Sequence, residues 1–173
     1  ALVAAGVSLV EAQGVAALKL RAVARRAGVS HMAPYNHFAD RAALVAAVAA
    51  DGFRKLSDEM GERVAGFPDR PARQLQEAGI AYVRFAVANP ELFRLMFSPE
   101  LADKTAYPEL QEAARRTFAA LADAVSRSGE SASGTPGTSV VPLLAWSFVH
   151  GLAVLLLDGQ FGLSVNVGQA EDY

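Results

Sequence analysis

The run from Arg21 to Arg41, RAVARRAGVSHMAPYNHFADR, constrains the fold more than any other part of the chain. Ala22, Val23 and Ala24 offer a small, close-packing face, and Arg25 and Arg26 follow where cations suit the end of a helix dipole. Gly28 then stands where a helix C-cap needs a left-handed residue, a conformation glycine takes without steric cost. Val29 is expected to plug the turn. Ser30 is expected to cap a following helix by accepting from one of its unpaired amides. Counted from that cap, Pro34 is expected within the first turn, where a missing N–H removes little. The second helix is predicted from His31 to His37 or Phe38. Two short helices joined by a glycine turn form a helix-turn-helix, whose second helix can enter a DNA major groove.

Charge supports the same stretch. The chain of 173 residues carries a formal net charge of −2, which argues against a generally basic nucleic-acid binder. Residues 1–63 hold eight Lys/Arg against six Asp/Glu, whereas 64–173 hold eight against twelve. Within 19–41, Lys19, Arg21, Arg25, Arg26 and Arg41 face Asp40 alone. A local basic patch on an acidic chain suffices for phosphate contacts, which need cations only at the docking face. A solvated helix face would carry the same charges.

Alanine, leucine and valine dominate and strand-like alternation is scarce, so the expected class is all-α. Leu2, Val3, Gly6, Leu9 and Val10 stripe a first helix over 1–14. Asp40 is expected to cap a long helix running to about Arg63, with Leu44, Val48, Leu56 and Met60 inward, until Gly66 and Pro68 break it. Further helices are predicted over 70–88, 90–97, 108–128 and 139–157, with Pro90 opening the second of these. Leu110, Ala114, Phe118, Leu121 and Val125 stripe the third. Ser128–Ser139 reads as a Gly/Ser/Pro-rich surface loop, and the tail after Leu157 as either a short helix or a frayed end. Val140–Leu157 is apolar, but Pro142, Ser147, His150 and Gly151 interrupt it, so a buried or interface helix is expected rather than a membrane span. Being hydrophobic nearly all round, this helix is a natural dimer face.

The absence of cysteine removes disulfides, thiolate zinc sites and cysteine nucleophiles, and fits a reducing cytoplasm. No basic n-region precedes an apolar stretch, so no signal peptide is expected, and a start at Ala1 implies residues upstream. No Gly-x-Ser-x-Gly elbow, phosphate-binding loop or His-Glu-x-x-His motif suggests catalysis, and no cofactor is expected. His31 and His37 lack a surrounding set of carboxylates, so no metal site is expected.

With its flanks, the run GVSHMAPYNHFADRAAL resembles the DNA-binding domain of TetR-family transcriptional regulators, through Gly-Val-Ser at the turn, Tyr35 and Phe38 around a histidine, the Asp40 cap and the basic residue after it. FAVANPELFRLMF and the Trp146-x-x-x-His150-Gly151 pattern are similar to one type of the family's C-terminal domain. The resemblance implies a three-helix head (1–50) joined by a long helix to a helical ligand-binding and dimerisation bundle (51–173). It places DNA contacts at Ser30, His31, Met32, Ala33, Tyr35, Asn36, His37 and Arg41, with Lys19 and Arg21 in the basic patch. Lys19 stands where the family has a Ser or Thr cap, but it could reach a phosphate. Asn36 can pair with adenine, hydroxyls and Arg suit phosphates, and Met32 and Ala33 offer apolar contact to a thymine methyl. Phe38 is read as packing.

The larger half concentrates bulky residues. As core they need no further role. As a pocket lining, Tyr82, Phe85, Phe93, Met96, Phe97, Tyr107, Phe118, Trp146 and His150 would suit an apolar or aromatic small molecule. The resemblance implies a dimeric repressor on a palindromic operator, released by such an effector. The alternative is a helical small-molecule-binding or interaction protein without operator-specific DNA binding.

Overall fold

A computed structural model describes residues 1–129 and 140–160. All regular structure among them is helical, as expected. In chain order the helices are α1 Leu2–Gln13, α2 Leu20–Ala27, α3 Arg41–Ala65, α4 Pro71–Ala88, α5 Pro90–Met96, α6 Pro108–Arg127 and α7 Val141–Leu157, with short 3-10 helices at Val15–Ala17, Ala33–Asn36 and Pro99–Leu101. Most of the expected loop at 128–139 and the expected tail at 164–173 lie outside the described residues. No described helix is long and apolar enough to cross a membrane.

The described residues form two compact units, one of residues 1–58 and 89–119, the other of residues 59–88, 120–129 and 140–160. In the first, a Cβ at Gly6 would stand 2.7 Å from Val48 Cγ2 and 3.3 Å from Leu18 Cδ1. Only a residue without a side chain lets α1 lie this close to α3. Leu9, Val10, Leu18, Val23, Leu44, Val45 and Val48 are buried here. α3 starts as predicted, with Asp40 Oδ1 accepting the Ala43 N–H at 2.8 Å. Pro90 opens α5, where the missing amide is no loss, and Glu11 of α1 accepts the Leu92 N–H at 2.8 Å. This helix therefore takes its N-terminal cap from a residue far away in sequence.

The buried stripe of α6 differs from the expected one. Leu110, Ala113, Thr117, Leu121, Ala124 and Val125 are buried, while Ala114 and Phe118 are half-buried. The stripe is rotated because a polar residue sits inside it. Thr117 Oγ1 lies 3.0 Å from the Ala113 carbonyl and 2.9 Å from the Phe53 carbonyl, so its hydroxyl is satisfied without water.

The second unit packs α4 against α7. At one end of α4 the buried Glu77 carboxylate accepts from Arg63 Nε at 2.7 Å and Arg73 Nη2 at 2.8 Å. Gln74, also buried, donates to the Phe67 and Pro68 carbonyls at 2.9 and 3.2 Å and accepts from Arg127 Nε at 2.8 Å. These bonds hold the α3–α4 turn, where Gly66 and Pro68 were expected to end the long helix. In α7, by contrast, Ala153 alone is buried, and Leu144 and Phe148 are 63% and 73% exposed. The apolar helix is thus covered on one side only.

Removing a buried carboxylate strands its partners, but Arg63 and Arg73 keep 32% and 44% exposure and can rehydrate. Glu77→Ala is therefore expected to cost about 2 kcal/mol, at the low end for a broken buried pair. Urea unfolding followed by circular dichroism measures this, and an unchanged midpoint would contradict the assigned network.

Candidate nucleic-acid interface

α2 ends as its sequence requires. Gly28 adopts φ 67° and ψ 28°, and the Gly28 and Val29 amides donate to the Arg25 and Ala24 carbonyls at 3.3 and 3.0 Å. Lys19 makes no side-chain cap. Val29 does not plug the turn, since the residue is 40% exposed; backbone bonds close the turn without it.

The element after the turn is not the α-helix predicted from His31 to His37. It is a 3-10 helix over Ala33–Asn36, flanked by turn residues. Pro34 is the cause. An α-helix capped at Ser30 would bond the amide of residue 34 to the Ser30 carbonyl, so Pro34 falls one residue beyond the turn in which a missing N–H is harmless. The Ser30 carbonyl takes the Ala33 N–H instead, at 3.0 Å, and i→i−3 bonds follow from Tyr35 to Met32 and from His37 to Pro34. Ser30 Oγ accepts the Met32 N–H at 3.3 Å, as a turn residue rather than a helix cap.

A 3-10 helix has three residues per turn, so residues three apart eclipse. Pro34 is buried and anchors one column. Met32 with Tyr35 and Ala33 with Asn36 form the other two. Met32, Tyr35 and Asn36 are exposed, as are Ser30, His31, His37, Lys19 and Arg21, while Ala33 is half-buried. Phe38 is half-buried, in keeping with packing.

Arg41 is placed differently from its neighbours. Its Nε donates to the Leu18 carbonyl at 3.1 Å, Nη2 to the Val15 carbonyl at 3.3 Å, and Nη1 lies 3.4 Å from Glu100 Oε2. It is built into the scaffold of its unit. The guanidinium of Arg26 is likewise hydrogen-bonded to Ser8 Oγ.

The expected ligand residues divide between the two units. Phe93, Met96, Phe97, Tyr107 and Phe118 belong to the first, where Phe97 meets Phe93 and Phe53 with ring centroids 4.9 and 5.2 Å apart. Phe53 was not anticipated, because it lies on the long helix among core-facing residues. Tyr82, Phe85, Trp146 and His150 belong to the second. There Trp146 Nε1 donates to Tyr82 Oη at 3.1 Å, and Tyr82 Oη lies 2.9 Å from His150 Nδ1. Burial raises the Tyr82 pKa, so the phenol keeps its proton, and burial lowers that of His150, favouring neutral imidazole. Tyr82 therefore donates to an unprotonated Nδ1, which puts the ring proton on Nε2. An open concavity of about 310 Å³ at the α3–α4 turn is lined by Gly66, Phe67, Pro68, Asp69 and Arg70, none of them expected ligand residues. No cluster of metal-ligating side chains occurs among the described residues.

α2, the Gly28 turn and the exposed 3-10 recognition turn together make a helix-turn-helix head with groove-compatible residues outward, on a chain whose described regular structure is all helical. A model of bacterial regulatory proteins of the tetR family matches residues 2–48, and one described as tetracyclin repressor-like, C-terminal domain, matches residues 75–172. The chain belongs to the TetR family of transcriptional regulators. A structure of a protein with unknown function from Rhodococcus sp. RHA1 is 33% identical, with TM-score 0.79, over 96% of this chain and 85% of that one. A TetR family transcription regulator from Marinobacter aquaeolei VT8 shares the fold at 21% identity and TM-score 0.67, over 96% and 87% of the two chains. A tetR-family regulatory protein from Rhodococcus RHA1 does so at 19% and 0.62, over 91% and 81%. No curated protein matches.

Two consequences are measurable. Arg41→Ala removes charge-assisted bonds to two carbonyls and is expected to lower unfolding stability by about 1–2 kcal/mol, whereas Tyr35→Ala, at an exposed position, leaves it unchanged. Equal midpoints for both variants in urea would contradict the scaffold role. For His150, a folded-state pKa below the unfolded value means that the unfolded chain binds the extra proton as pH drops below about 6.5. This group's contribution to stability is thus constant above that pH and declines below it. The wild type is expected to lose more stability between pH 7.5 and 5 than His150→Gln; parallel profiles would refute the assignment.

Proposed function

We propose that this TetR-family chain is a dimeric, ligand-responsive repressor that binds a palindromic operator and is released by an apolar or aromatic small molecule. Residues 1–50 act as the DNA-reading head and 51–173 as the ligand-binding and dimerisation domain. The observation that carries this reading is the recognition turn. Pro34 is sunk in the head while Met32, Tyr35 and Asn36 stand outward, with exposed Lys19, Arg21 and Arg25 in the same basic stretch. Ser30, Tyr35 and the free cations serve phosphates; His31, Met32, Ala33, Asn36 and His37 serve base edges. Arg41, held by the Leu18 and Val15 carbonyls with its side chain 43% exposed, supports the turn and serves a phosphate as well.

One recognition turn is too small for operator-level affinity, so a second head about one DNA turn away is needed. The outer face of α7 supplies the means. Leu144, Phe148 and Leu155 lie on one exposed stripe, and a Cβ at Gly151 between them would meet nothing within 4 Å. Apolar surface of this kind on a small domain is cheaply covered by a second copy, which gives a closed two-fold interface.

For the effector, the protonated Tyr82 with Trp146 and neutral His150 offers a polar contact where α4 packs on α7. A ligand that binds there must prefer the DNA-free state, and a hundredfold loss of operator affinity requires about 2.8 kcal/mol of coupling. The protein works by binding, without catalysis, in the cytoplasm.

Phe148→Glu tests the dimer. Sedimentation is expected to show a monomer with unchanged helicity, and operator affinity is expected to drop at least tenfold. In wild type, anisotropy titration should show palindrome-specific binding that weakens steeply with salt. Equal affinity for scrambled duplex would favour a helical ligand-binding protein without operator specificity.

A further inference from the structure

Between Arg26 and Arg41 the chain carries no Lys, Arg, Gln or Glu. Guanine in the major groove is read chiefly by Arg or Lys through O6 and N7. The nearest candidate downstream, Arg41, spends its guanidinium on the Leu18 and Val15 carbonyls and on Glu100. Asp40 caps α3 through the Ala43 amide. Besides the polar Ser30, His31, Asn36 and His37, the turn presents two large side chains with apolar surface: Met32 is 54% exposed and Tyr35 45%, and the three-residue repeat puts them in one column. The adjoining column holds Ala33 and Asn36.

Such residues need no partner when exposed singly, but in a turn that docks on DNA their apolar surface falls to the base edges. The exposed cations Lys19, Arg21 and Arg25 precede it, so the partner is a polyanion that also offers apolar groups. Among major-groove edges, the 5-methyl of thymine is the apolar one.

We propose that the recognition turn selects its site through thymine methyl groups packed on Met32. Asn36, in the next column, takes an adenine edge, and no bidentate contact is made to guanine. The proposal rests on the DNA-binding reading above and specifies the chemistry of the half-site.

The test starts from a random-sequence duplex library enriched on the full chain. In the enriched site each dT is replaced in turn by dU, which removes only the methyl, and each dG by 7-deaza-dG, which removes N7. At one or two symmetric positions per half-site, dU is expected to weaken binding about fourfold per methyl. Met32→Ala should abolish that sensitivity while keeping the wild-type melting temperature, and 7-deaza-dG should be tolerated. A specifically bound site that is indifferent to dU, or more sensitive to 7-deaza-dG, overturns the methyl code but leaves the regulator reading intact. A library that yields no enriched site overturns the regulator reading itself, and the methyl code with it.

Discussion

The connection from α1 to α2 contains no helix long enough to hold itself together in water; α2 has eight residues, below the dozen or so an isolated helix needs. Its Val15 and Leu18 carbonyls are both met by one side chain, Arg41, which also reaches Glu100. A planar guanidinium suits this role because its donors are fixed in one fork, so a single residue sets the spacing of two carbonyls. The recognition turn lies between α2 and α3, and Arg41 is the first residue of α3. Whatever the turn reads, its placement depends on that fork.

The same economy recurs in the second unit, in buried polar groups instead of carbonyls. Glu77 and Gln74 are each saturated, one by two arginines and the other by two carbonyls and an arginine. Tyr82 joins Trp146 to His150. Each cluster fixes a corner of α4: the first its entry from α3, the second its contact with α7. Satisfied buried networks specify one arrangement of helices where alanine-rich faces alone would slide.

Much of this architecture was legible because its signals are local. Gly28 needed only the rule for left-handed caps, Asp40 and Pro90 the rules for helix starts, and Leu44, Val48, Leu56 and Met60 a helical period. What escaped was non-local or depended on one hydrogen bond. The Pro34 position differs from a harmless one by a single residue, and that difference changes an α-helix into a 3-10 helix. Thr117 carries no apolar signal in the sequence, yet the distant Phe53 carbonyl lets it be a core residue. Arg41 looks in sequence like any phosphate-binding cation, since nothing local shows the carbonyls of Val15 and Leu18 waiting for it. The expected ligand residues are aromatics with a few polar groups among them, a pattern that does not show their division between the Phe53–Phe97–Phe93 cluster and the Tyr82 triad.

Glu11 sits in the middle of what the sequence presents as an autonomous DNA-reading module, yet its carboxylate finishes a helix that begins at Pro90. Such modules are commonly treated as interchangeable parts, to be cut at the long helix and spliced onto another body. Here the cut would leave the first turn of α5 with an open amide on one side of the splice and an idle acid on the other. A compatible graft would have to match this acid to its amide, so the unit of inheritance for such exchanges is the pair and not the module.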